Sequence, residues 1–252
     1  MNNNLWLKKE SPLLGLTGSG GGVACGGADE AGCPAVAGEN SVVFDGNDYL
    51  QFGNSNDFIL DGQFTIEFWV YSTTGGGSGP YTMFEFGDYG GTDGVLIYEY
   101  ASKTWMSHEG GNQLESTTTC GQNQWMHIAV TRNASNLCTL WLDGTSKDTY
   151  TLSDPFGSAS NSGGNNCTIA ATYSSRWIGN ISNVRINKGQ CLYTSSFTPG
   201  DGANLTLCSQ GANADNTKVL CCNLGTATGM TKGPTSLTPH SDPTGSTDSP
   251  WG

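Results

Sequence analysis

Between Phe64 and Ser72 the chain runs FTIEFWVYS, so that Phe64, Ile66, Phe68 and Val70 alternate with Thr65, Glu67, Trp69 and Tyr71. A two-residue period sends successive side chains to opposite faces of a strand, and this stretch predicts one whose apolar face meets a core. QWMHIAVTR repeats the pattern, with Met126, Ile128 and Val130 opposing Trp125, His127 and Ala129. SVVFDGNDYLQF sets two apolar runs around Asp45-Gly46-Asn47-Asp48, which predicts a hairpin. NLCTLWLDGTSKDTYTL predicts another, turning at Asp143-Gly144. TMFEFG, GVLIYEY, CTIAAT and RWIGNISNVRI add further short strands, and no window sustains a helical period. The expected fold class is all-β, a two-sheet antiparallel sandwich that buries one face of each sheet against the other.

The strand pattern occupies residues 41–199. Before it, residues 1–40 hold one apolar patch, SPLLGL, then a glycine run, GSGGG, too little to pack a core alone. This segment is either a disordered leader or an N-terminal arm that docks on a neighbour through Leu13, Leu14 and Leu16. After it, residues 200–252 are rich in Thr, Ser, Gly and Pro and offer one strand candidate, TKVLCCN. They are expected to wrap the domain or a neighbour as an extended tail.

Composition narrows the function. The chain has 37 glycines and only 13% charged residues, a profile of short strands joined by many turns. A net charge of -12, with basic residues scattered singly apart from Lys8-Lys9, argues against binding a phosphate backbone. No stretch approaches the roughly 20 apolar residues of a membrane span. The first residues lack the apolar core of a secretory signal, so synthesis in a host cytoplasm without a signal peptide is expected. The 9 cysteines include no CxxC pair, which leaves buried free thiols or a few disulfides rather than a zinc site.

The succession SVVFDGNDYLQF, FTIEFWVYS, QWMHIAVTR, LWLDG and IGNISNVRINKGQCLYTSSFTP resembles the concanavalin A-like, laminin-G-like jelly-roll domain. Its ending, VRI-x-KG-x-x-x-Y-x-x-x-F-TP, is similar to versions found in virion proteins of tailed bacteriophages, especially marine and cyanobacterial ones. The resemblance implies a non-enzymatic structural protein on the virion surface, a capsid decoration or a tail or fibre appendage, whose partners are other virion proteins. It implies, alternatively, a carbohydrate-binding adhesin for host surface glycans. No cofactor is required by either reading.

Sugar sites combine aromatic faces with amide and carboxylate acceptors. Trp105, Tyr98, Tyr100 and Tyr89, near Asp88, Asp93 and Asn112, are the candidates, in or beside loops. Asp45 and Asp48 with Asn183 are candidate oxygen ligands for a structural calcium, although Asp-Gly-Asn-Asp is equally turn chemistry. Glycoside hydrolysis needs two carboxylates facing one cleft. Glu85 and Asp88 are separated by an odd number of positions, which places them on opposite faces of a regular strand. His127 sits inside a strand pattern and is expected to be a hydrogen-bonded structural residue. In the closing stretch, Val184 and Ile186 are expected in the core, with Tyr193 and Phe197 pinning the exiting chain.

Overall fold

The alternating segments form strands where their apolar halves can meet across two layers. A computed structural model describes residue 33 and residues 40–74, 79–87, 94–101, 103–118, 121–157, 167–172, 175–200 and 204–251. In chain order these contain β1 (Ser41–Asp45), β2 (Tyr49–Phe52), β3 (Phe64–Ser72), β4 (Tyr81–Phe86), β5 (Val95–Tyr100) and β6 (Lys103–His108). Next come β7 (Gly111–Ser116), β8 (Trp125–Arg132), β9 (Leu137–Leu142), β10 (Thr145–Thr151), β11 (Cys167–Ile169), β12 (Ala171–Thr172) and β13 (Ser175–Arg176). The last are β14 (Ile178–Lys188), β15 (Thr217–Cys221), β16 (Met230–Lys232), β17 (Leu237–His240) and β18 (Thr244–Ser246). Leu13, Leu14 and Leu16 lie outside the described residues.

Two antiparallel sheets make the jelly-roll sandwich. Sheet A follows the order β10-β9-β8-β3-β14-β1-β18, with β15 also pairing β14 and β16 pairing β15. Sheet B follows β17-β2-β11-β4-β5-β6-β7. The inner face of sheet A carries Phe64, Ile66, Phe68 and Val70 from β3 and Met126, Ile128 and Val130 from β8, as the alternation predicts. Leu50, Phe52, Phe84, Phe86, Ile97 and Met106 face them from sheet B.

Two sequence expectations change. Asp45-Gly46-Asn47-Asp48 makes its turn, but β1 pairs with β14 and β18 while β2 pairs with β11 and β17. The segment therefore carries the chain from one sheet to the other and is not a hairpin. Turn residues fix a local reversal; they do not decide which strand comes alongside. The C-terminal segment, where the pattern offered one strand, contributes β15, β16, β17 and β18, and these reach both sheets. The cysteines divide between both alternatives: Cys138, Cys167, Cys221 and Cys222 are buried thiols, Cys191 is half-buried, and Cys33 pairs with Cys208. Burial pushes the Cys167 and Cys221 thiols well above their ordinary range, so they behave as small apolar groups.

The outer face of sheet A is covered as well. After β14 ends, residues 190–200 run back over β3, β8 and β9. Thr65 donates its hydroxyl to the Gln190 carbonyl and accepts the Leu192 N–H. Tyr193 stacks on Phe197 with ring centroids 3.5 Å apart, and both pack on Ala129 and Trp141. The segment is held to the β9–β10 turn by the Phe197 N–H, which donates to the Gly144 carbonyl at 3.0 Å. In that turn Asp143 and Gly144 have φ of 47° and 70°, the paired positive values of a tight two-residue hairpin. A Cβ on Gly144 would lie 1.7 Å from the Phe197 carbonyl oxygen, so glycine is needed both for the turn and for the approach of the strap. Gly144→Ala is expected to lower stability by about 2 kcal/mol or more. Urea unfolding should show it as a lower midpoint at unchanged slope.

Candidate functional site

Glutamate, histidine, arginine and tyrosine side chains gather beneath the strap. Glu67 on β3 and Arg185 on β14 are cross-strand neighbours. Arg185 Nε and Nη2 donate to Glu67 Oε1 at 2.8 and 2.5 Å. The other carboxylate oxygen accepts the Tyr193 hydroxyl at 2.7 Å and lies 3.1 Å from His127 Nε2. Arg185 Nη1 reaches on to the carbonyls of Thr206 and Ser209 and to the Ser209 hydroxyl. Burial alone would raise the Glu67 carboxyl, but the Arg185 guanidinium and the His127 and Tyr193 hydrogen bonds outweigh it and bring the carboxyl down to about 2. The same burial, with the Glu67 charge beside it, pushes the Tyr193 phenol up.

Glu67, His127 and Arg185 are 0% exposed and Tyr193 is 4% exposed, so a substrate cannot reach them. The arrangement ties β3, β8 and β14 to the strap. His127 is the hydrogen-bonded structural histidine expected from its strand position, and Val184 and Ile186 are in the core.

The opposite outer face, that of sheet B, holds the predicted aromatic residues. Tyr98 on β5 stands opposite Trp105 on β6, which in turn stands opposite Glu115 on β7. Tyr100, two residues along β5, shares the face and is 45% exposed. The Trp105 indole N–H donates to the Tyr100 carbonyl at 3.3 Å. Lys103 lies 5.4 Å above the Trp105 ring and pairs with Glu115. Trp105 is half-buried, whereas Tyr98, 8% exposed, supplies little surface. Asn112 on β7 sits opposite Ser107 in the register. Asp88, Tyr89 and Asp93 lie outside the described residues.

The structure thus brings Tyr98, Tyr100 and Trp105 together, but on strands rather than in loops. It adds Lys103 and Glu115, which the sequence reading missed. KTWMSH and GNQLES alternate, with Met106 and Leu114 turned inward, and that was the available signal.

The proposed oxygen ligands separate. Asp45 accepts the Asn47 N–H and Asp48 accepts the Asp45 N–H, both within the turn. Burial raises the Asp48 carboxyl above its ordinary range. Asn183 lies at the middle of β14, whereas Ile178, the partner of Asp45, is its first residue. It donates to Ser182 and Asn204 and accepts the Leu205 N–H. Its amide is thus taken up in holding residues 204–205, and Asp45 and Asp48 are left without it. Among the described residues no group of three or more His, Cys, Asp or Glu side chains converges.

The family described as the concanavalin A-like lectin/glucanases superfamily matches residues 44–191, more than half of the chain. A solved structure of a candidate carbohydrate binding protein from Bacteroides ovatus superposes with a TM-score of 0.60 at 15% identity, covering 82% of this chain and 59% of that one. The chain therefore spans under two thirds of that protein. Domain 4 of the extracellular arabinanase AbnA from Geobacillus stearothermophilus, in complex with arabinotriose, gives 0.48 at 15% identity, covering 60% and 71%. The LG1-3 region of the laminin alpha2 chain gives 0.46 at 8% identity, covering 60% and 31%. No curated protein matches the sequence.

The sealed cluster has a testable pH signature. The folded carboxyl of Glu67, near 2, lies below an ordinary glutamate near 4.5, so its stabilisation is complete above about pH 4.5 and is lost as pH falls through 2. That amounts to about 3 kcal/mol. Arg185→Ala, which strands the carboxylate, should cost about 3–5 kcal/mol at neutral pH. Glu67→Gln with Arg185→Met should recover most of it, and denaturant melts across pH will show whether the acid loss disappears in the double variant.

Proposed function

Because the chain belongs to the concanavalin A-like lectin/glucanases superfamily, we propose that it is a non-catalytic carbohydrate-recognition module. On this reading it is displayed on the surface of a tailed-phage particle and held there by other virion proteins. The observation that carries the recognition half is the Trp105–Tyr100 surface with the Lys103–Glu115 pair beside it. An aromatic ring gives the C–H face of a sugar an apolar platform, and a neighbouring carboxylate and ammonium supply an acceptor and donors for its hydroxyls. The Bacteroides ovatus protein, of the same fold, is described as a candidate carbohydrate binder, which is consistent with this reading.

Against an enzyme stands the burial of the Glu67 cluster, which leaves it without access. The virion half rests on the closing sequence VRI-x-KG-x-x-x-Y-x-x-x-F-TP and its likeness to phage surface proteins. A second reading keeps attachment and drops the sugar: residues 1–40, through Leu13, Leu14 and Leu16, serve only to dock the domain on a capsid or tail subunit.

A glycan array probed with the purified chain separates the two. Binding to at least one neutral or acidic glycan is expected, weakened about tenfold or more, or by at least 1.4 kcal/mol, by Trp105→Ala. A blank array, or affinity indifferent to Trp105→Ala, removes the recognition reading and leaves the attachment one. Mass spectrometry of purified virions should find the 26.4 kDa chain as a stoichiometric component, and its absence would remove the particle assignment.

A further inference from the structure

On the outer face of sheet A, away from the Trp105 surface, the strap and the edge strands leave a groove of about 320 Å³. Its one wall is β8, β9 and β10; the other is residues 191–196 of the strap. The hydroxyls of Thr139, Ser146, Thr149, Thr194, Ser195 and Ser196 line it, and Trp141 lines it between them. No Asp, Glu, Lys, Arg or His belongs to the described lining. The indole N–H of Trp141 is already given to the Thr131 hydroxyl at 2.9 Å, which leaves hydroxyl groups and the Asn133 amide as the main polar offer of the groove.

The absence of charge is built by the backbone. Continued at a strict two-residue period, β10 would set Asp148 opposite Thr139 and put a carboxylate in the groove. A bulge between Ser146 and Asp148 shifts the register, so that Thr149 stands opposite Thr139 and Asp148 opposite Leu140. The displaced carboxylate turns to the other sheet, where it accepts the Glu115 N–H at 3.0 Å. One inserted residue thereby closes the side of the sandwich and clears the groove of its nearest charge.

We propose that this groove is a second ligand site, which takes one ring of an uncharged polyhydroxylated molecule such as a pyranoside. Its volume falls at the lower end of the roughly 300–1,000 Å³ typical of small-molecule sites, enough for a single ring. A charged ligand would lose its hydration there with no opposite charge in the described lining to replace it. A wholly apolar ligand would leave buried hydroxyls such as that of Thr139, 8% exposed, without partners. A ring of hydroxyls over a carbon skeleton satisfies both demands. The proposal extends the carbohydrate-recognition reading to a second face, so that one chain could bridge two glycan ends and gain avidity.

The test is an NMR titration of the ¹⁵N-labelled full chain with methyl α-D-glucopyranoside, methyl α-D-mannopyranoside and methyl β-D-galactopyranoside, and with methyl β-D-glucuronide as the charged counterpart. At least one neutral glycoside should move the Trp141 indole N–H and the amides of Thr139, Thr149 and Ser195 saturably. Thr149→Trp, which fills the groove from an exposed edge position, should weaken that response about tenfold or more. Trp105→Ala should leave it unchanged. The inference is overturned if no neutral glycoside moves these signals, if the glucuronide moves them equally, or if Thr149→Trp has no effect. Shifts confined to Trp105 and Tyr100 would sink the groove and keep the first site; shifts confined to the groove would do the reverse.

Discussion

A carboxylate and a guanidinium at 0% exposure are costly to bury, and the rest of sheet A is arranged around making that tolerable. Glu67 alone would be driven to protonate. It stays ionised because Arg185 meets one oxygen while Tyr193 and His127 meet the other. Arg185, in turn, has donors left over, and these are met by the Thr206 and Ser209 carbonyls. The pair therefore needs partners from β3, β8, β14, the strap and the segment beyond it at once. A tail that merely trailed from the sandwich could not supply them, so residues 190–200 and 204–209 act as a lid on the charges.

The pairing also depends on one backbone irregularity. Without the bulge in β14, Val184 would stand opposite Glu67. The shift between Ser182 and Arg185, with Asn183 at φ 51°, brings Arg185 there instead and keeps Val184 and Ile186 inward. The Asn183 side chain then holds residues 204–205. A residue chosen in the sequence as an oxygen ligand is thus a fastening for the lid. A second buried arginine follows the same logic: Arg132 spends its guanidinium on the carbonyls of Leu60, Gly62 and Asp154, which ties two loops at the end of the sandwich.

These details mark where sequence reading stops. The two-residue period revealed β3, β8 and β9 because each has one face in the common core, and the Asp143-Gly144 turn pointed to β10, whose residues are almost all exposed. It could not show that Thr65, Glu67 and His127, on the polar side, would be as buried as the apolar side, since the covering strap lies more than 50 residues further along the chain. The Glu67–Arg185 pair spans 118 residues and leaves no local mark. The one trace is a phase break: Ile181 and Val184 both point inward although three residues apart, which only a bulge allows. Asp45 to Asp48 shows the opposite failure, a correct turn attached to the wrong pairing. The aromatic surface was half legible. Trp105 and Tyr100 were found by residue type, but Lys103 and Glu115 emerge only when β5, β6 and β7 are laid side by side.

Two of the bulges divide the labour on sheet A. That in β14 brings an ion pair together and seals the outer face of sheet A. That in β10 removes a carboxylate from the same face and lends it to sheet B. Sealing puts the Glu67 cluster out of reach and leaves, among the described surfaces, hydroxyls and an indole on one side and aromatic rings with an ion pair on the other. This is the physical reason to favour a binding module over a glucanase within a superfamily that contains both lectins and glucanases. A hydrolase of this fold would have to expose two carboxylates to one cleft. Here the best-placed carboxylate, Glu67, is committed to four hydrogen bonds and roofed by Tyr193, so freeing it for catalysis would undo the closure of the sandwich.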